Sequence, residues 1–147
     1  MKRRTSLLLL MLAISLAFAA WQWLRPYEWR ADPAARFRVT DASVERDHSY
    51  LWLKLRLENT GKDHHDFGKP MTLLLADGSK AEPAETSLEG DAENPIMALH
   101  LRFWLENDDF SGPIQLHIND GLLDIRSGHG IPALGNGETR HFNTCNW

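Results

Sequence analysis

From Leu51 to Glu58 the chain alternates leucine with tryptophan or charge. Leu51, Leu53, Leu55 and Leu57 share one parity, and Trp52, Lys54, Arg56 and Glu58 share the other. A period of two sends successive side chains to opposite faces of an extended strand, whereas on a helix it would scatter the leucines around the axis. The pattern predicts a half-buried strand over Tyr50–Asn59, stopped by the turn chemistry of Asn59-Thr60-Gly61. Ala98–Glu106 repeats it, with Leu99, Leu101, Phe103 and Leu105 on one face and His100, Arg102 and Trp104 on the other. Ile114, Leu116 and Ile118 form a third alternating set.

Asp120-Gly121 reads as the loop of a tight hairpin. With that loop Asn119 faces Leu122, Ile118 meets Leu123, and Leu116 meets Ile125 on the apolar face. His117 then meets Asp124, and Gln115 meets Arg126, on the other. Asp77-Gly78 is a second turn, between Met71–Ala76 and Ser79–Ala84. Pro83 suits an edge position there. Phe37–Glu45 is the first strand, and its apolar phase switches from Phe37 and Val39 to Ala42 and Val44. A bulge near Thr40-Asp41 accounts for the switch. Arg140–Thr144 is the last strand, after the glycine-rich stretch Gly128–Gly137. Asp32-Pro33-Ala34-Ala35 suits a single helical turn at the entrance of the domain. The expectation is an all-β fold, an antiparallel immunoglobulin-like β-sandwich of about seven strands, preceded by one N-terminal hydrophobic helix.

That helix follows from the N-terminus. Lys2, Arg3 and Arg4 precede an uncharged run from Thr5 to Leu24, with an apolar heart over Leu7–Ala20. A cationic start followed by an apolar block is the layout of a secretory signal, and Ala17-Phe18-Ala19 offers small residues for cleavage. Extended to Leu24, the run is also just long enough for an uncleaved anchor. Trp21, Trp23, Tyr27 and Trp29 follow at the position where aromatic rings favour a membrane interface. The anchor is the preferred reading, with residues 5–24 in the membrane. Both readings carry the remaining chain across it. The domains expected are therefore a signal anchor or signal peptide over 1–24, a juxtamembrane linker over 25–36 and the β-sandwich over 37–147.

The 147-residue chain carries a formal charge of −4 and one cysteine. A single cysteine makes no internal disulfide, so an exported domain of this size relies on its core. No basic run lies beyond the first four residues, which argues against nucleic acid as a partner. Cys145 reads as a small packing residue. The leader, the segment Leu55-Arg56-Leu57-Glu58-Asn59-Thr60-Gly61 and the turn Ala76-Asp77-Gly78 together resemble small bacterial envelope proteins. Those proteins have an N-terminal signal or anchor and one immunoglobulin-like module. The resemblance implies adhesion or protein binding at the cell envelope and carries over no catalytic residue.

Candidate chemistry is sparse. His64, His65 and Asp66 form the best local metal cluster, but adjacent residues of an extended chain point apart, so both histidines reach one ion only if the loop bends. On a strand, His141 and Cys145 would share a face yet sit ~13 Å apart. Asn107-Asp108-Asp109 lacks the spaced carboxylates of a calcium loop. Ser43, Ser49, Ser111 and Ser127 sit in no nucleophile motif, and phosphate-binding loops are absent. The sequence is read as non-catalytic and without a cofactor. The suggestive residues are Trp52, Trp104 and Arg102, expected on the outer face, since tryptophan with arginine is typical of binding hot spots. Protein–protein interaction or scaffolding, through this face or an exposed edge strand, is the leading reading. A periplasmic metal-binding protein using the loop histidines and a carbohydrate-binding module are the alternatives.

Overall fold

The computed structural model describes residues 2–27, 32–61 and 68–147. One apolar helix, α1 (Lys2–Leu24), is followed by nine strands among the described residues. These are β1 (Phe37–Asp47), β2 (Tyr50–Asn59), β3 (Thr72–Leu74), β4 (Lys80–Ala81), β5 (Glu85–Glu89), β6 (Ala98–Leu105), β7 (Ile114–Ile118), β8 (Gly121–Arg126) and β9 (Thr139–Phe142). They form two sheets, a five-stranded one in the order β5-β6-β2-β1-β9 and a four-stranded one in the order β4-β3-β7-β8. Every strand pair is antiparallel. The two sheets close on one shared apolar core, which makes the domain sandwich-like.

The alternation explains that core. Leu51, Leu53, Leu55 and Leu57 of β2 face inward beside Leu99, Leu101, Phe103 and Leu105 of β6, and all eight are buried. Ile114, Leu116 and Ile118 of β7 and Leu73 of β3 contribute from the second sheet. The register of β1 against β2 shifts between Val39 and Asp41, so Thr40 is the extra residue of the bulge. Its hydroxyl donates to the Arg56 carbonyl at 3.2 Å and accepts from the Arg56 guanidinium at 3.0 Å. The bulge converts the odd apolar phase of Phe37 and Val39 into the even phase of Ala42 and Val44, and all four are buried. The turn after Asp32 forms as a 3-10 turn over Pro33–Ala35, with the Asp32 carboxylate accepting from the Ala34 N–H.

Several expectations are corrected. The β7–β8 hairpin turns at Asn119-Asp120, not at Asp120-Gly121, because Ile118 pairs with Gly121. Asn119 takes the left-handed conformation at φ 52°, and its side-chain amide donates to the Ala35 carbonyl at 2.6 Å. Gly121 is required for space: a Cβ there would lie 2.3 Å from the Ala35 nitrogen. Leu116 therefore meets Leu123 rather than Ile125, and His117 meets Leu122 rather than Asp124. Asp124 is opposite Gln115 and accepts its side-chain N–H at 2.9 Å. A register shift between Ile114 and Gln115 then turns Arg126 inward, where both Ile125 and Arg126 are buried. Strand β5 has no counterpart in the sequence reading. All five of its residues are exposed, so it carries no apolar alternation to detect.

Tyr27 and Ala35, within the expected linker, contribute to the core. Pro26 pairs with Thr144 in an isolated antiparallel bridge, and the Tyr27 N–H donates to the Asn143 carbonyl at 3.0 Å. Tyr27 is 2% exposed. Its hydroxyl donates to the Ile125 carbonyl at 2.5 Å and accepts from Trp147 Nε1 at 2.6 Å. Trp147 in turn stacks on Phe142, with centroids 4.1 Å apart and planes at 7°. The buried Arg126 guanidinium lies over the Trp147 and Phe110 rings and donates to the main-chain oxygens of Trp147, Phe110 and Gly130. Residues 143–147 thus clasp the first segment after the helix, with the buried Cys145 between them.

Candidate functional site

The outer face of the five-stranded sheet is written by the second parity of β2 and β6. Their register places Trp52 opposite Trp104, Lys54 opposite Arg102, and Arg56 opposite His100. Directly opposed residues on one face of an antiparallel pair are in side-chain contact. The two indoles meet edge to face, with centroids 4.3 Å apart and planes at 72°. Tyr50, two residues before Trp52 and on the same face, adds a third ring 4.8 Å from Trp104 at 32°. The Arg102 guanidinium sits 4.2 Å from the Trp52 ring centroid, in cation–π range. Trp104 and Tyr50 are 39% and 38% exposed, while Trp52 is half-buried.

Hydrogen bonds hold this cluster in shape. Arg102 donates to Glu85 of β5 at 2.7 Å, which fixes the guanidinium over the ring. Trp52 Nε1 donates to the Asp47 carboxylate at 3.4 Å, and His48 Nδ1 lies 2.9 Å from the same carboxylate. The hydrogen bond with His48, then that from Trp52, holds the Asp47 carboxyl below its usual range. Structure therefore brings together the three residues singled out from sequence, Trp52, Trp104 and Arg102. It adds Tyr50, which was missed although it lies one period of two from Trp52.

Beyond the rings, the same face is a lattice of ion pairs and histidine–carboxylate hydrogen bonds. Lys54 pairs with Glu45, Arg38 with Glu58 at 3.1 Å, and Arg56 with Glu58 at 2.7 Å and Glu89 at 3.5 Å. His100 meets Glu89 at 2.9 Å, and His141 meets Asp41 at 3.1 Å. Hydrogen bonds from Arg56 and Arg38 keep the Glu58 carboxyl below its ordinary range, and His100 together with Arg56 does so for Glu89. Exposed pairs of this kind contribute little stability each. Their consequence is compositional, since most charges on this face are already answered and the aromatic cluster is its main unsatisfied apolar feature.

Other candidate groups are placed as follows. His64, His65 and Asp66 lie outside the described residues, as does Trp29. Among the described residues no group of three or more metal-ligating side chains converges. His141 is exposed and Cys145 is buried. Asn107-Asp108-Asp109 forms a 3-10 turn whose Asp109 carboxylate accepts from the Glu106 N–H at 2.8 Å. A shallow cleft runs past Arg56, Glu58, Glu89, Asn94 and Met97 at the far end of the face. No protein-family model, curated protein or solved structure matches the chain.

Proposed function

We propose that this chain is an exported, membrane-anchored and non-catalytic envelope module that mediates protein–protein interaction or scaffolding. The observation that carries the reading is the exposed cluster of Tyr50, Trp52 and Trp104 with Arg102 stacked on it. Aromatic and arginine side chains that lose little conformational freedom on binding are the usual centres of protein interfaces. Each ring here is already positioned by a neighbour, so little ordering entropy remains to be lost. A protein partner fits this geometry better than a sugar. Arg102 occupies one face of Trp52, and the edge-to-face indoles do not offer a flat platform.

The location rests on α1. The most apolar 18-residue window of Arg3–Leu24 has a mean hydropathy of 2.0, and none of that window is buried against the domain. Lys2, Arg3 and Arg4 at its start favour a cytoplasmic N-terminus, with the sandwich outside. The strand order supports the immunoglobulin-like reading. Strands β1-β2-β6-β5 face β8-β7-β3, which corresponds to A-B-E-D facing G-F-C in such domains, with β9 and β4 added at the edges.

The test is crosslinking of the tagged full-length chain in its native membrane, compared with the Trp52→Ala/Trp104→Ala variant at equal abundance. The expected result is one specific adduct that disappears in the double variant. An adduct that persists in it, or no adduct at all, overturns the reading.

A further inference from the structure

The two lateral sides of the sandwich are finished differently. On the side of β8, main-chain groups at the start of the strand and just beyond its end have partners. The Leu122 N–H donates to Asp32 at 3.0 Å, the Ser127 N–H to the Cys145 carbonyl at 2.7 Å, and the Gly128 N–H to the Trp147 oxygen at 3.1 Å. On the opposite side β5 ends the five-stranded sheet, and among the described residues no strand pairs with its outer edge. It runs unbroken against β6 from Glu85 opposite Arg102 to Glu89 opposite Ala98, without a register shift.

An open edge is a template for another strand, and proteins blunt such edges with bulges, internal prolines or lysines. Strand β5 has none of these within Glu85–Glu89. What it has is acid. Residues 80–93 contain Glu82, Glu85, Glu89, Asp91 and Glu93 against the single cation Lys80; Glu85 is already paired with Arg102 and Glu89 with Arg56, so the acid offered to a partner is chiefly the flank of Glu82, Asp91 and Glu93. A second copy added antiparallel about Ser87 would set Glu85 opposite Glu89, and like charges directly opposed are destabilising. The charge that discourages self-pairing favours a basic partner. Leu88 adds an apolar element. It lies opposite the buried Leu99, in the inward phase of the sheet, yet at the open edge it is 50% exposed, as is Met97 at 49%.

Resting on the interaction reading but using a different surface, we infer that the β5 edge accepts an extended, basic segment of a partner protein as an additional strand. Main-chain hydrogen bonds along the edge supply affinity in this mode, and alternate side chains supply selectivity. Lysine or arginine on one parity meets the acidic flank, and an apolar residue on the other covers Leu88.

The probe is a synthetic peptide of about seven residues alternating lysine and valine, titrated into the full-length chain in detergent micelles, with a glutamate–valine peptide as its counterpart. The lysine peptide is expected to bind at least about tenfold more tightly than the glutamate peptide and to slow amide exchange across Thr86–Leu88. Leu88→Lys weakens it about tenfold. The surface variant Glu82→Lys/Glu93→Lys, which leaves the β5–β6 ion pairs intact, weakens it severalfold and decides the matter if Leu88→Lys does not fold. Equal binding of both peptides, no binding up to about 1 mM, or protection away from β5 overturns the edge inference. If the peptide fails while the in-cell adduct still depends on the tryptophans, the interaction reading survives and only the edge is refuted.

Discussion

Replacing Tyr27 with phenylalanine removes one oxygen and tests how the first segment after the helix is held. The hydroxyl donates to the Ile125 carbonyl at 2.5 Å and accepts from Trp147 Nε1 at 2.6 Å. Each such bond contributes about 1 kcal/mol net, and a buried polar group left without a partner costs ~1–3 kcal/mol. The Ile125 carbonyl is enclosed, whereas half-buried Trp147 regains some contact with water, so the expected loss is about 2–3 kcal/mol. For a domain of this size each kcal/mol moves the midpoint by about 4 °C, which gives a fall of ~8–12 °C. Trp147→Phe deletes the indole N–H and also shrinks the ring that stacks on Phe142 and lies under Arg126, so its own cost exceeds the ~1 kcal/mol of the hydrogen bond. The hydroxyl still donates to Ile125 there, so Tyr27→Phe in the Trp147→Phe background costs less than in the wild type, and the difference measures the coupling.

The assay is thermal unfolding of the full-length chain in detergent, followed by near-ultraviolet circular dichroism. A pH series adds a second readout. Burial pushes the Tyr27 phenol far above its ordinary value near 10, with the Trp147 hydrogen bond opposing the shift. The folded state therefore holds this proton more tightly than the unfolded chain. The corresponding stability is intact below pH 10 and falls as pH rises above it. Tyr27→Phe removes that slope, so the gap between wild type and variant narrows above about pH 10. A midpoint within about 2 °C of wild type, additive Tyr27 and Trp147 effects, or a gap indifferent to alkaline pH would each refute the clasp.

Two further outcomes follow from single contacts. Gly121→Ala places a Cβ 2.3 Å from the Ala35 nitrogen, so the 3-10 turn must move, and denaturant unfolding should show a loss of about 1–3 kcal/mol; an unchanged midpoint refutes the close approach. Glu58→Gln removes a carboxylate held below its ordinary range by Arg56 and Arg38, whose contribution is present above pH 4.5 and fades as acid protonates it. Acid unfolding of the variant should be shallower through that window, and identical profiles refute the assignment.

The sequence was most legible where one rule governed the outcome. Period-two alternation alone placed Trp52 and Trp104 on the outer face, and the antiparallel register then set them opposite each other. It failed where a distant contact decides. Asp120-Gly121 has the composition of a hairpin loop, but Gly121 is small because Ala35, far away in sequence, packs on it. Arg126 shares the polar parity that should face solvent, yet one extra residue in β8 turns it into a pocket of carbonyls and rings. Tyr27 reads as one of several aromatic residues beside a membrane helix, and its partner is Trp147, at a sequence separation of 120. Strand β5 is invisible because an edge with both faces exposed needs no apolar pattern.

The clasp also bears on what the outer face and the open edge can reach. Helix α1 ends at Leu24 and Pro26 is already paired with Thr144. Two residues extend at most ~7 Å, so no slack tether separates helix from sandwich. The Asn146 side chain donates to the Trp23 carbonyl, which ties residues 143–147 to the last turn of the helix as well. On the anchored reading proposed above, which holds the helix in a bilayer, a short and doubly bonded link removes much of the orientational freedom of the domain. The aromatic cluster and the β5 edge then keep fixed heights above the membrane. A partner anchored in the same membrane meets them with part of the orientational cost of association already met, so its apparent affinity rises without any new contact. Loosening the link, as Tyr27→Phe does, should weaken such a membrane-bound partner while leaving the affinity for a soluble peptide unchanged.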